Sequence, residues 1–387
     1  MNGDQKIKKK EVGEMKTEVS NLLFNLMANN DCATYEDTKY HFKEVFDKRT
    51  GSYVRTGILD ENGHDTNIDP FMRSFPNLLD IGVMGHCSCA HICPVGCYQD
   101  ALHHSDRPNM SVEDYESIMK QCEGKVFSVA IGGAGNPDDH EHFEEILQIS
   151  NKYGVIPSYT TSGLTFTKEK AEISKKYCGA VAVSWHNKDY THNAINLLLD
   201  ARITTNIHYV LGKNSIDEAI KRLKEDDFPK GINAVVFLLF KPIGLGKSEN
   251  VLDINDPRVE EFYKLVNLNN NSFKIGFDSC NAPAITNFCD QVDMRSMDFC
   301  ESGLFSAYID CNMNMMPCSF CNQDTKYYVS LKENTIQAAW DSKVFEDFRQ
   351  SRKISCKNCI NRSTCAGGCP ITSEITLCNR LEKDIKL

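Results

Sequence analysis

The sequence predicts an α/β chain in which a partial barrel of six β/α units precedes a small, metal-stapled domain. Three observations carry that expectation. Apolar strand-like runs alternate with amphipathic helical stretches from residue 78 to about 280. The rhythm stops near residue 280. Eleven of the 18 cysteines then fall between Cys280 and Cys378.

The strand candidates are Leu78–Val83, Val126–Ile131, Ile156–Thr160, Ala180–Ser184, Thr204–Val210, Ala234–Leu239 and Phe273–Phe277. Between them lie helical stretches at Val112–Gln121, His140–Lys152, Lys168–Lys176, Thr191–Ala201, Ser215–Glu225 and Pro257–Val266. Strict strand–helix alternation implies a parallel sheet. Six or seven strands are too few for a closed TIM-like barrel of eight, and the chemistry belongs at their carboxyl ends. Residues 281–387 form the second domain, whose only long element is Thr335–Arg349. Lacking the elements of an ordinary core, it depends on bound metal. Residues 1–77 read as a helical and turn-rich extension. A helix is expected at Glu14–Ala28 and turns at Thr50–Gly51 and Asn62–Gly63.

Composition narrows the function. A net charge of −10 over 387 residues argues against a nucleic-acid coat, and the basic run Lys6–Lys10 reads as a solvated terminus. No apolar run reaches the roughly 20 residues of a membrane span, and no secretory signal is visible. A cytoplasmic protein is expected, without nucleic-acid or membrane partners. In that reducing compartment clustered thiols read as metal ligands, not disulfides.

Two cysteine arrays hold the chemistry. After the first strand come Cys87, Cys89, Cys93 and Cys97, followed by Tyr98. Three thiolates on one tight loop can hold three irons of a [4Fe–4S] cube and leave the fourth open. A zinc knuckle using His86 or His91 is the alternative. The second array is Cys356-x2-Cys359-x5-Cys365-x3-Cys369, then Cys378, with Cys300 and Cys318 upstream. Its alternative is structural zinc held by four cysteines.

With the alternation between them, these arrays resemble the radical S-adenosylmethionine (SAM) superfamily and its SPASM subfamily. The first loop departs from the usual C-x3-C-x2-C, because three residues separate Cys93 from Cys97. Cys89 keeps the x3 spacing, whereas Cys87 better matches the usual distance from the strand, so either is the first ligand. Gly132-Gly133-Ala134 stands where the family has Gly-Gly-Glu, which receives the amino group of SAM. Ala134 replaces the acid, leaving Asn136 or a nearby acid for that role. Ser184 and His208 sit where the family places ribose-binding groups, and Lys241–Gly246 where backbone meets adenine. Ser184 and His208 read equally well as satisfied buried polar residues.

The second array matches the SPASM pattern at every position of its C-terminal half. Its first half, Cys300-x12-Met313-x4-Cys318, has methionine where glycine is expected. The resemblance implies an outer auxiliary cluster on Cys356, Cys359, Cys365 and Cys378. It implies an inner one on Cys300, Cys318 and Cys369, with Cys280, Cys289, Cys311 or Cys321 as fourth ligand. Cys280, which ends the last strand, is favoured.

The implied activity is reductive cleavage of SAM to a 5′-deoxyadenosyl radical that takes hydrogen from a substrate. In SPASM proteins that substrate is commonly a ribosomally made peptide or protein, gaining a thioether, a carbon–carbon bond or an oxidised side chain. A flavodoxin or ferredoxin is the expected reductant. No catalytic residue is singled out. Three other functions remain open: radical chemistry on a sugar or alcohol, electron transfer without SAM, and a zinc-stapled interaction module.

Overall fold

The computed structural model describes residues 31–103, 106–292, 297–321, 326–352, 359, 365 and 367–378. The expected helix at Glu14–Ala28 and the basic run before it lie outside them. The chain divides into two compact units, Met1–Ser74 and Phe75–Leu387.

In the first unit β1 (Cys32–Asp37), β2 (Phe42–Asp47) and β3 (Tyr53–Arg55) form an antiparallel sheet in that order. The sequence reading had only helix and turns here. The reason lies in β2. Phe42 and Phe46 point inward in strand period, but Glu44 shares their face and hides the alternation. Glu44 is fully buried because Arg73 Nε donates to it at 2.8 Å, and Tyr53 OH adds a bond of 2.6 Å. The guanidinium also stacks 3.6 Å from the Tyr35 ring. Arg73→Met strands a buried carboxylate and is expected to destabilise this unit by about 3–5 kcal/mol. The double variant Glu44→Leu/Arg73→Met regains most of that loss. Limited proteolysis within residues 31–74 measures both, and an unchanged rate for Arg73→Met would contradict the expectation.

The second unit is built on ten strands. Seven are parallel and neighbours in chain order: β4 (Leu78–Met84), β5 (Ser128–Gly133), β6 (Ile156–Thr161), β7 (Ala180–Ser184), β8 (Thr205–Leu211), β9 (Ala234–Leu239) and β10 (Lys274–Phe277). The six crossovers carry α1 (Val112–Cys122), α2 (Phe143–Lys152), α3 (Lys168–Tyr177), α4 (Asp189–Asp200), α5 (Ile216–Glu225) and α6 (Pro257–Leu268). Local chemistry sets their ends. Ser111 and Thr167 cap the first turns of α1 and α3, and Asp256 with Pro257 opens α6. Asp226 and Asn269 close α5 and α6 in the left-handed conformation. This is the expected partial barrel.

The sheet does not stop at residue 280. After α7 (Ala282–Phe288), β11 (Ser306–Ile309) pairs in parallel with the free edge of β4; β12 (Asn314–Met316) and β13 (Val329–Ser330) continue antiparallel. Ile309, Met315, Trp340 and Phe345 are buried in the barrel's own apolar core. The C-terminal segment therefore adds to an ordinary core, contrary to the expectation that it had none. The expected Thr335–Arg349 element is two helices, α8 (Ile336–Trp340) and α9 (Lys343–Ser351). Ser342 caps α9 through Phe345 N at 3.4 Å and so starts a new helix there. Met313 has φ 68°, the left-handed conformation that favours glycine. The backbone turn behind the expected glycine is thus present, held by Leu331 N donating to Met313 O at 2.7 Å.

Among the described residues no helix is long and apolar enough to cross a membrane.

Candidate functional site

Strand parity makes the cavity. Leu79, Ile81, Val183, Ile207, Val235 and Phe237 point outward under the helices and are fully buried. The opposite parity carries Asp80, Ala130, Gly132, Thr160, Ser184 and His208, which line a cavity of about 470 Å³. Small inward side chains leave that space open. Its volume falls within the roughly 300–1,000 Å³ typical of small-molecule sites. The same cavity is lined by Cys87, Cys89, Cys93, Cys97 and Tyr98, by Gly133 and Asn136, and by Ser319 and Phe320 of the C-terminal segment.

The four loop thiols are electrostatic neighbours. Burial, followed by the charges of Cys89, Cys97 and Cys93, pushes Cys87 up to about 11, although the Cys89 N–H donates to it. Cys93 is raised by burial and then by Cys97 and Cys89, against an N–H from Val95. Cys89 is the buried member, with Ser88 Oγ at 3.5 Å and Asn136 Nδ2 at 4.0 Å from its sulfur. Asn136 is fully engaged: Oδ1 accepts from Ser162 N at 2.8 Å, and Nδ2 donates to Asp139 at 3.1 Å. Two glycines allow neighbouring loops to close in. Gly133 has φ 120°, and a Cβ on it would sit 2.5 Å from Met84 O. Gly244 has φ 64°, and its Cβ would sit 2.6 Å from the Cys97 and Tyr98 carbonyls.

The polar wall behind these loops carries two histidines. Burial pushes His208 and His186 down to about 4, so both imidazoles are neutral at pH 7. His208 Nδ1 pairs with Thr160 Oγ1 at 3.1 Å, and His186 Nδ1 with Tyr190 OH at 3.1 Å.

Three groups here escaped the sequence reading. Lys241 was placed in a backbone loop, but its Nζ donates to Leu239 O at 2.8 Å and to Asp278 Oδ2 at 2.5 Å. Burial opposes its charge, yet Asp278, Cys280 and Cys318 outweigh that and hold its pKa above the ordinary lysine value. The Phe320 ring packs tilted against Tyr98, with centroids 4.7 Å apart, and its centroid lies 4.6 Å from the Lys241 ammonium. Asp80 faces the cavity without a cation or hydrogen-bond donor among the described residues, and burial pushes it up to about 6. The available signal was a charged residue at an inward position of an otherwise apolar strand.

Asp80 yields a pH prediction. Its folded pKa lies above the unfolded value of about 3.9, so the ionised form costs stability above pH about 6, by at most about 3 kcal/mol. That cost fades as pH falls from 6 towards 4. Asp80→Asn is expected to raise the thermal midpoint at pH 8, with the gain roughly halved at pH 5. A gain independent of pH would contradict the assignment.

Seven further thiols fall into two sets. The Cys280 thiol donates to Cys369, which lowers Cys369 towards thiolate and raises Cys280. Thr372 N points at the Cys369 sulfur from 3.5 Å. Cys300 interacts with Cys280 and Cys318, and Cys318 with Cys369. The other candidates for a fourth inner ligand face elsewhere. Cys289 donates to Tyr263 O at 3.6 Å, Cys311 lies beside Asp310 and Arg107, and Cys321 packs with Tyr308, Met316 and Phe348. Cys365 is raised by burial and lies near Cys378 and Cys359, with N–H groups of Gly367 and Gly368 turned to its sulfur. Cys356 lies outside the described residues. Among the described residues no three His, Cys, Asp or Glu donors converge closely enough for a single metal ion.

Residues 300–360 match the SPASM family model, an iron–sulfur cluster-binding domain. No curated protein sequence matches the chain. Among solved structures, Streptococcus suis SuiB bound to S-adenosylmethionine is 16% identical with a TM-score of 0.66, covering 91% of this chain and 99% of that one. SuiB bound to its precursor peptide SuiA aligns equally well. The protein anSMEcpe with bound AdoMet is 20% identical with a TM-score of 0.57, covering 80% of this chain and 95% of that one. The chain thus shares the fold of these solved structures, a parallel partial barrel, and carries the SPASM match in its C-terminal domain, as its sequence led us to expect.

Proposed function

We propose that this protein is a radical SAM enzyme that modifies a ribosomally made peptide or protein, working in the cytoplasm with a flavodoxin or ferredoxin as reductant. The observation that carries the reading is the single cavity wall shared by the Cys87–Cys97 loop, Gly132–Gly133, the barrel's polar row and the C-terminal Ser319 and Phe320. The thiol sets suit the cofactors. Each set gathers cysteine sulfurs with backbone N–H groups turned to them, as at Cys87, Cys365 and Cys369, the donor chemistry of iron–sulfur ligation.

Three of the loop thiols hold the radical cluster. Cys280, Cys300, Cys318 and Cys369 hold the inner auxiliary cluster, and Cys356, Cys359, Cys365 and Cys378 the outer one. When bound, SAM and the reduced cluster supply a 5′-deoxyadenosyl radical, the auxiliary clusters serving as electron acceptors. The chain's own residues place and isolate the reactants. The Gly132 and Gly133 backbone accepts the amino group of SAM, and neutral His208 and Ser184 hydrogen-bond its ribose. Asn136 positions the loop instead of meeting SAM directly, because its amide already bridges Ser162, Asp139 and Cys89. Tyr98 and Phe320 close the side nearest the C-terminal domain and exclude water there. SuiB with its precursor peptide and anSMEcpe with bound AdoMet and Cp18Cys peptide support a peptide substrate.

The test is anaerobic incubation with SAM, dithionite and short peptides encoded beside this gene, read by mass spectrometry. Each thioether, carbon–carbon bond or oxidised side chain removes two hydrogen atoms from the peptide. Turnover of a sugar or alcohol with every peptide inert would overturn the substrate class.

A further inference from the structure

The radical-cluster loop carries four thiols where an open-iron cluster uses three. Cys87, Cys89, Cys93 and Cys97 interact with one another electrostatically, and all four line the cavity. They differ in how the fold treats them. Cys89 is buried, with the Asn136 amide donating towards its sulfur and the Ser88 hydroxyl, able to donate to a thiolate, 3.5 Å away. Donors of that kind stabilise a permanently ligated thiolate and tune its cluster. Asn136 is itself fixed by Ser162 and Asp139, so its aim is set by the fold. Cys93 closes the turn that starts from Cys89, its N–H bonding Cys89 O at 3.0 Å. The Cys97 carbonyl accepts from Asp100 N at 3.2 Å and Leu245 N at 2.9 Å. Cys87, like Cys93, has one backbone N–H at its sulfur and stands partly open, but it lies outside the evenly spaced Cys89, Cys93 and Cys97 run, towards the end of β4.

We propose that Cys89, Cys93 and Cys97 are the permanent ligands and that Cys87 is a displaceable fourth ligand, capping the open iron until SAM arrives. The exchange needs no electron. The Cys87 sulfur–iron bond would break, the SAM amino and carboxylate groups would take the vacated iron, and the proton lost by the SAM ammonium on ligation would pass to the released thiolate. Such a cap protects the most labile iron while SAM is absent. The idea rests on the radical SAM reading above.

The test uses full-length protein reconstituted anaerobically as wild type, Cys87→Ala and Cys89→Ala. Iron is counted, and mild ferricyanide oxidation without SAM is followed by electron paramagnetic resonance. Loss of an uncapped iron gives a [3Fe–4S] signal. Wild type is expected to give little of it, and Cys87→Ala several-fold more, returning to the wild-type level when SAM is added first. Cys89→Ala is expected to lack about four irons. Equal signals from wild type and Cys87→Ala overturn the cap. Loss of about four irons from Cys87→Ala with none lost from Cys89→Ala reverses the two roles and also overturns it. Wild-type protein that takes up no iron fails the radical SAM reading itself, a result distinct from either.

Discussion

Replacing Cys97 by serine is expected to abolish SAM cleavage while sparing the auxiliary centres. The loop's shape does not depend on that side chain, since the Cys97 backbone carbonyl supplies its bonds to Asp100 and Leu245. The variant should therefore fold, bury the same core and keep the C-terminal thiol sets. Of about 12 irons in a three-cluster protein, about four are lost. Production of 5′-deoxyadenosine drops by at least about a thousandfold, equivalent to more than about 4 kcal/mol in barrier height. Iron analysis and chromatography of one preparation measure both. Retained cleavage would place the radical cluster elsewhere.

A comparably large effect is expected from Lys241→Met, by a different route. The Lys241 ammonium is 6% exposed and pairs with Asp278, while Cys280 and Cys318 share its electrostatic environment. Methionine keeps much of the apolar stem beside Phe320 but removes the charge. Asp278 retains Asn281 Nδ2 at 2.6 Å and Leu239 N at 3.3 Å, without a cation. Breaking a buried pair on one side costs about 3–5 kcal/mol. The inner thiols also lose a positive charge that acts on them, so this variant should lose inner-cluster iron as well as stability. Asp278→Asn combined with Lys241→Met restores stability but not iron. A Lys241→Met protein with wild-type melting and full iron would remove Lys241 from the site.

The barrel was largely legible because its outward strand positions are continuously apolar and its helices amphipathic, so period alone located them. Ala180–Ser184 and Ala234–Leu239 fall where expected. What period could not show is pairing. β11 returns to the β4 edge across more than 200 residues, and nothing local in Ser306–Ile309 reveals its partner. In the first unit the alternation of β2 was masked by Glu44, a carboxylate buried by an arginine 29 residues away. The cavity shows the same limit. Cysteine spacing announced the thiol sets, whereas Lys241 and Asp278 meet only because β9 and β10 are neighbours in the sheet. Met313 is the instructive intermediate. Spacing located the position, and the left-handed backbone there explains why glycine was the expected residue.

The most direct measurement is anaerobic purification followed by incubation with SAM and dithionite, with iron and 5′-deoxyadenosine quantified together. A brown protein with about 12 irons per chain that releases 5′-deoxyadenosine is expected. Colourless protein that takes up zinc in place of iron and leaves SAM intact would contradict the radical SAM reading.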